Sequence, residues 1–184
     1  MNAIAPEPGE ARTVAYQQPF LPEKPLFTVE LVIFTIRADQ LHVLLIKRAD
    51  QPCKGWWALP GGFLDPLRDD SIEACALRKL TEEAGFHPPY LEQLKTYGSC
   101  DRDPRGWTAA TVYFALIASE QVQLGGNQEA ADWVAVQGDG VGFDLAFDHA
   151  SILADAVERL RSKLEYTHIA VHLLPDEFTL PELQ

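Results

Sequence analysis

Between Gly61 and Gly85 the chain runs from a glycine pair, Gly61-Gly62-Phe63, through Asp70-Ser71 into Arg78-Lys79-Leu80-Thr81-Glu82-Glu83-Ala84-Gly85. Both ends of a helix are written into this stretch. Asp70 is predicted to cap its start, with Glu73 three residues on as capping-box partner, and Gly85 supplies the natural stop. The bracketed segment spans about four turns. Within it Leu77, Leu80 and Ala84 recur at helical spacing and are expected to dock on a sheet. Lys79, Glu82 and Glu83, at i, i+3 and i+4, gather on another face beside the small Cys75 and Ala76. Adjacent glutamates alone read as a solvated face. Here the glycine pair lets backbone approach a ligand closely, and the two carboxylates offer oxygen ligands to a hard cation such as magnesium.

The flanking segments supply a sheet for this helix. Phe27 to Arg37 (FTVELVIFTIR) and Leu41 to Lys47 (LHVLLIK) are β-branched and apolar, joined at Ala38-Asp39-Gln40 as a hairpin. A short Trp57-Ala58-Leu59 strand leads into the glycine pair, and further strands are expected at Tyr90 to Tyr97, Thr108 to Ala118 and Asp132 to Val136. A second helix is predicted from Asp148 to about Tyr166, with Leu153, Val157, Leu160 and Leu164 as its buried stripe. The order implies an α/β fold, a mixed β-sheet sandwiched between helices. Residues 1–25, with Pro6, Pro8, Pro19, Pro22 and Pro25, read as a mobile or strap-like arm ahead of a domain over residues 26–170, and residues 171–184 as a tail.

Composition excludes several classes of function. The 27 Asp and Glu outnumber the 15 Lys and Arg, and a formal charge of −12 repels nucleic-acid phosphate. Cys53, Cys75 and Cys100 lack the spacing of a zinc site or redox pair and fit reduced thiols in a cytoplasm. Met1 to Pro25 has no secretory pattern, and no apolar run approaches a membrane span.

The segment from Asp70 to Gly85 resembles the box that defines the Nudix hydrolase superfamily, whose pattern is Gly-x5-Glu-x7-Arg-Glu-aliphatic-x-Glu-Glu-x-Gly-aliphatic. Asp70 stands at the first Glu, Arg78 at the Arg, Lys79 at the second Glu, Glu82 and Glu83 at the pair, and Gly85 and Phe86 at the end. Leu64 stands where the pattern places its glycine, as if a modest insertion lay around Leu67-Arg68. The resemblance implies a Nudix fold and attack of a metal-activated water on a nucleoside-linked diphosphate. It also implies Glu82 and Glu83 as ligands of Mg2+ or Mn2+ and catalytic parts for Arg78 and Asp70. Glu129 or Asp132 is a further source of a carboxylate.

Arg78-Lys79-Leu80, Pro88 to Leu94, Arg102 to Trp107 and the tail from Glu177 also resemble the Nudix-related transcriptional regulators of NAD metabolism. In these an ADP-ribose-sensing Nudix domain precedes a winged-helix DNA-binding domain. That resemblance implies a homodimer, and DNA contact only through a domain beginning near Gln184, not through residues 1–184. Ligand contacts are expected from Gly61, Gly62, Phe63, Lys79, Arg105 and Trp107, with Arg102 and Trp56 as further partners for phosphate or base. His149 reads as a cap-region histidine making local hydrogen bonds.

Lys79 decides between two readings. It removes one negative ligand and adds a positive charge, each worth about 4 kcal/mol at about 4 Å and an effective dielectric near 20, so metal affinity should fall by orders of magnitude. Alternatively its ammonium, paired with Glu83, takes the metal's place and holds the diphosphate directly. The first reading is a binding module that senses ADP-ribose or a similar nucleoside diphosphate sugar. The second is a magnesium-dependent pyrophosphatase that splits it into AMP and ribose 5-phosphate.

Overall fold

The computed structural model describes residues 24–85, 90–118, 131–166 and 168–173. The elements in order are β1 (Leu26–Arg37), β2 (Gln40–Lys47), β3 (Trp57–Ala58), β4 (Gly61–Phe63), α1 (Ile72–Ala84), β5 (Tyr90–Ser99), β6 (Thr108–Leu116), β7 (Ala131–Ala135) and α2 (His149–Tyr166). A 3-10 turn, Ile169–Leu173, follows α2. The expected arm falls on residues 1–23 and most of the tail on residues 174–184, both outside the described residues, as do Phe86 and Glu129.

β1 organises the sheet because it is long, apolar on both faces and paired along its whole length. It runs parallel to β6, from Leu26 opposite Thr108 to Phe34 opposite Leu116. Its other edge is shared: Thr28, Val29 and Glu30 pair with β4, and Phe34 to Arg37 pair with β2. The strand order is β3-β2-β1-β6-β5, with β7 added to β2 and β4 to β1. Ala38 and Asp39 both take positive φ, 47° and 58°, the geometry a two-residue hairpin turn needs to match strand twist.

The sheet is mixed and lies between the helices, as the sequence pattern predicts. Val32, Phe34, Val112 and Phe114 pack with Ile152, Leu153, Ala156, Val157 and Leu160 of α2. Val29, Leu31, Ile33 and Tyr113 pack with Cys75, Ala76 and Leu80 of α1 on the other face. Among the described residues no helix is long and apolar enough to cross a membrane.

Three local expectations are corrected. The cap of α1 is Ser71, not Asp70: its Oγ accepts the N–H of Ala74 at 3.0 Å. In the turn just before it, the Asp69 carboxylate accepts the N–H of Asp65 at 2.8 Å. Glu73 therefore falls one position short of the capping-box place. The docking face of α1 is also rotated: Cys75 and Ala76 are buried with Leu80, Leu77 is only partly buried, and the Ala84 side chain lies outside the description. The small pair lets the helix axis approach the sheet closely. In α2, Leu153, Val157 and Leu160 are buried, but Leu164 is 42% exposed. Gly85 does stop α1, at φ 74°, donating to Thr81 O.

Candidate functional site

Two residues without side chains divide the site. Strand alternation sends Gly61 and Gly62 to opposite sides of β4. A Cβ on Gly61 would lie 2.3 Å from Val29 O and 2.4 Å from a carboxylate oxygen of Glu30. One on Gly62 would meet Lys79, 3.0 Å from Cε and 3.2 Å from Nζ. The first conflict is with backbone and the second with the far end of a flexible chain. Both positions hold positive φ, 158° and 155°, so any side chain strains the backbone, but Gly61→Ala is expected to cost about 1–3 kcal/mol more than Gly62→Ala and to loosen β4 from β1, because Lys79 can move and the backbone of β1 cannot. Urea denaturation of the two variants separates them; equal stability would refute the distinction.

On the α1 side, charge is tightly paired. The Arg78 guanidinium grips Asp69 with two bonds of 2.6 Å, and the Asp69 side chain is almost fully covered. The hydrogen bond from Arg78 is the largest cause that holds the Asp69 carboxyl well below the usual carboxylate range. The acid that meets Arg78 is thus Asp69, while Asp70, the residue expected to take part, is exposed. Glu82 receives three cations: Arg68 at 3.0 Å, Arg78 at 3.2 Å and Lys79 at 3.0 Å. Burial works against its ionisation, yet hydrogen bonds and charge from Lys79 and Arg78 hold its pKa below the ordinary value. Lys79 is thus paired with Glu82; the Glu83 side chain lies outside the described residues.

Glu82, the one carboxylate of the expected metal pair whose side chain is described, does not by itself make a site for a divalent ion. Among the described residues no group of three or more His, Cys, Asp or Glu side chains is placed to hold a metal, and the oxygens of Glu82 are already satisfied by cations. Asp132 is exposed on β7 and turns a carboxylate oxygen onto the N–H of Trp133 at 2.8 Å.

The other side of β4 opens into a cavity of about 110 Å³. Thr28 and Glu30 of β1 line it with Gly61 to Phe63 of β4, and Ile46, Arg48, Leu59, the loop between β5 and β6 and the segment from Phe147 into α2 complete the wall. Arg102 is committed to Asp148, with bonds of 2.9 and 2.8 Å. Arg105 is held by Asp103 at 2.7 Å and lies over the rings of Phe63 at 4.9 Å and Phe147 at 5.9 Å. Both loop arginines thus border the cavity, but neither is a free fork waiting for phosphate. Trp107 is 51% exposed, packs against Gly98 and lines a separate open cleft with Lys24, Pro25 and Leu26. Trp56 is half exposed.

Glu30 and His149 are the titratable pair inside. Burial pushes the Glu30 carboxyl up to about 8, against the opposing charge of Arg102. His149 is not a local cap residue. Its Nδ1 accepts the N–H of Leu59 at 2.9 Å, a bond that ties α2 to the turn entering β4, and burial lowers its pKa to about 4. Phe147, two residues earlier, holds φ at 55°, a strained conformation for a bulky residue, and its ring faces the cavity beside Arg48 and Arg105. Sequence reasoning missed Thr28, Glu30, Asp69 and Phe147. A signal existed for Glu30, the one charged residue inside an apolar strand.

Residues 27–155 match the NUDIX domain model. The ADPR responsive transcriptional repressor NtrR of Acinetobacter baylyi is 44% identical over 179 residues, covering 95% of this chain and 70% of that protein. The ADP-ribose pyrophosphatase of Methanocaldococcus jannaschii is 34% identical over 119 residues, 61% of this chain and 64% of its own. The NUDIX domain of Shewanella oneidensis NrtR, solved with ADP ribose, superposes with a TM-score of 0.70 at 40% identity, covering 83% of this chain and 99% of that one.

Proposed function

The chain belongs to the Nudix family, and on that premise we propose that it binds ADP-ribose as the effector-sensing part of a regulator of NAD metabolism, with hydrolysis weakened or lost at Lys79. The ion pair of Lys79 with Glu82 at 3.0 Å carries this reading. It puts an ammonium among the acids that would otherwise gather a metal, and an ammonium can hold a diphosphate but cannot activate water. A ligand lying along the edge of β4 that is away from β1 would meet the cavity on one side and Lys79 on the other. The similarity to a repressor named for its response to ADPR, and to a NUDIX domain solved with ADP ribose, supports the choice of ligand. Occupancy would act by favouring one of two arrangements of a dimer or of an attached DNA-binding domain. Contact with DNA is assigned to such a separate domain, since this chain carries a net charge of −12.

Calorimetry with ADP-ribose in buffer containing a chelator tests the sensor. Saturable binding that magnesium does not strengthen is expected; binding that disappears without metal would reverse the reading. The second reading, a pyrophosphatase, is favoured by the retained Glu82-Glu83 pair and by the similarity to the Methanocaldococcus enzyme. It predicts AMP and ribose 5-phosphate on incubation with ADP-ribose and magnesium or manganese.

A further inference from the structure

Three polar groups in the cavity are each short of a partner. His149 Nε2 lies 3.9 Å from Glu30 Oε2, beyond hydrogen-bond length. Since Nδ1 accepts from Leu59 N–H, the neutral ring carries its proton on Nε2, the nitrogen that faces Glu30. The Thr28 hydroxyl, only 4% of whose residue surface is exposed, lies beside the Glu30 carboxyl and favours its charged form, but among the described residues it meets no partner at standard hydrogen-bond geometry. Buried hydroxyls in folded proteins are nearly always paired, so this one is poised for something that enters the cavity it lines.

The gap between His149 and Glu30 selects the entering group. One atom about 2.8 Å from both must accept from Nε2–H and suit the carboxyl, which holds its proton near neutral pH and releases it above about 8. A hydroxyl serves both forms, accepting from the acid or donating to the carboxylate. A phosphate oxygen serves only the acid and an exocyclic amine of a base accepts nothing, so a hydroxyl is the group that fits throughout. The cavity, at about 110 Å³, exceeds what a single water needs by several-fold. We propose that Thr28, Glu30 and His149 form a subsite that reads adjacent hydroxyls of a ribose, one bridging His149 and Glu30 and the next on Thr28. The proposal rests on the ADP-ribose reading above and adds which part of the ligand enters the cavity. Thr28 and Glu30 act here as specificity-determining residues; His149 both donates and positions the Leu59 turn.

The test is calorimetry of the full chain, with Thr28→Val and Glu30→Leu, against ADP-ribose and its 2′-deoxy, 3′-deoxy and 2″-deoxy forms. Either the 2′- and 3′-deoxy forms, or the 2″-deoxy form, are expected to bind the natural chain about 5- to 30-fold more weakly than ADP-ribose, the loss of a hydrogen bond to a polar or charged partner. Each variant should lose affinity for ADP-ribose by a similar factor and discriminate less against the form lacking the hydroxyl that the replaced side chain held. Thr28→Val is nearly isosteric, so an unchanged Tm separates lost recognition from lost structure. Equal affinity for all four ligands, or natural affinity in both variants, would overturn the subsite. A parallel titration of ribose 5-phosphate, read at the His149 ring nitrogens by NMR, keeps the two readings apart. A response at His149 without ADP-ribose binding removes the nucleotide reading and retains the subsite. ADP-ribose binding indifferent to the hydroxyls, with His149 silent, removes the subsite and retains the reading.

Discussion

At about pH 9 the Glu30→Gln variant is expected to be more stable than the natural chain by up to about 5 kcal/mol, and the two should converge as the pH approaches 4.5. The carboxyl of Glu30 sits beneath β4 with its pKa raised from 4.5 to about 8 by burial. Between those values the folded state holds a proton that the unfolded state has released. Stability therefore falls as the pH rises through this window and levels off above about 8. A rise of about 3.5 at about 1.36 kcal/mol per unit sets the upper figure. Glutamine keeps the shape of the protonated acid and has nothing to lose, so its curve lacks this slope.

His149 works in the opposite sense. Its pKa is lowered from 6.5 to about 4, so the unfolded state takes up a proton that the folded state refuses, and stability falls as the pH drops through that interval. Where the two windows overlap, between 4.5 and 6.5, the slopes oppose each other and the natural chain should show a broad optimum. Urea unfolding at a series of pH values measures this directly. Parallel alkaline limbs for the natural chain and Glu30→Gln would mean that Glu30 ionises normally and that the cavity is wetter than its geometry indicates.

Lys79→Glu is expected to raise affinity for Mn2+ by several orders of magnitude. The substitution replaces an ammonium 3.0 Å from Glu82 with a carboxylate. Each unit of charge is worth about 4 kcal/mol at about 4 Å for an effective dielectric near 20, before losses to solvation. Without metal the new acid repels Glu82, so the variant should melt below the natural chain and recover when manganese is added. Manganese binding by electron paramagnetic resonance and Tm with and without the ion check both halves. Arg68 and Arg78 continue to occupy Glu82 after the change, so turnover of ADP-ribose to AMP is a stricter demand than binding. An Mn2+ affinity unmoved by the substitution would show that Lys79 is not what weakens the metal site.

Much of the architecture was legible because it is set by neighbours. The β-branched apolar run FTVELVIFTIR, the Gly85 stop and the Leu153, Val157 and Leu160 stripe are patterns within a few residues, and each appears in the fold. The expectation that Asp70 caps α1 failed for want of distant information. In the fold Ser71 takes the N–H of Ala74, and the carboxylate just before Asp70, that of Asp69, is bound to Arg78, nine residues on. The arginines of the β5–β6 loop show the same limit. Their charge and their Trp neighbour suggested ligand forks, but the fold supplies Asp148 to Arg102 from 46 residues away.

The sequence by itself determined the family, the sandwich and the charge inversion at Lys79, since periodicity, caps and a spaced motif are properties of local chain. Tertiary structure alone decided that Glu30 and His149 meet beneath the glycine strand and that, among the described residues, the Thr28 hydroxyl reaches no partner at standard hydrogen-bond geometry. Those relations join distant segments, Leu59 and His149 being 90 residues apart and Glu30 and His149 farther still. They exist only once burial has removed water and left each polar group dependent on what the fold happens to bring beside it.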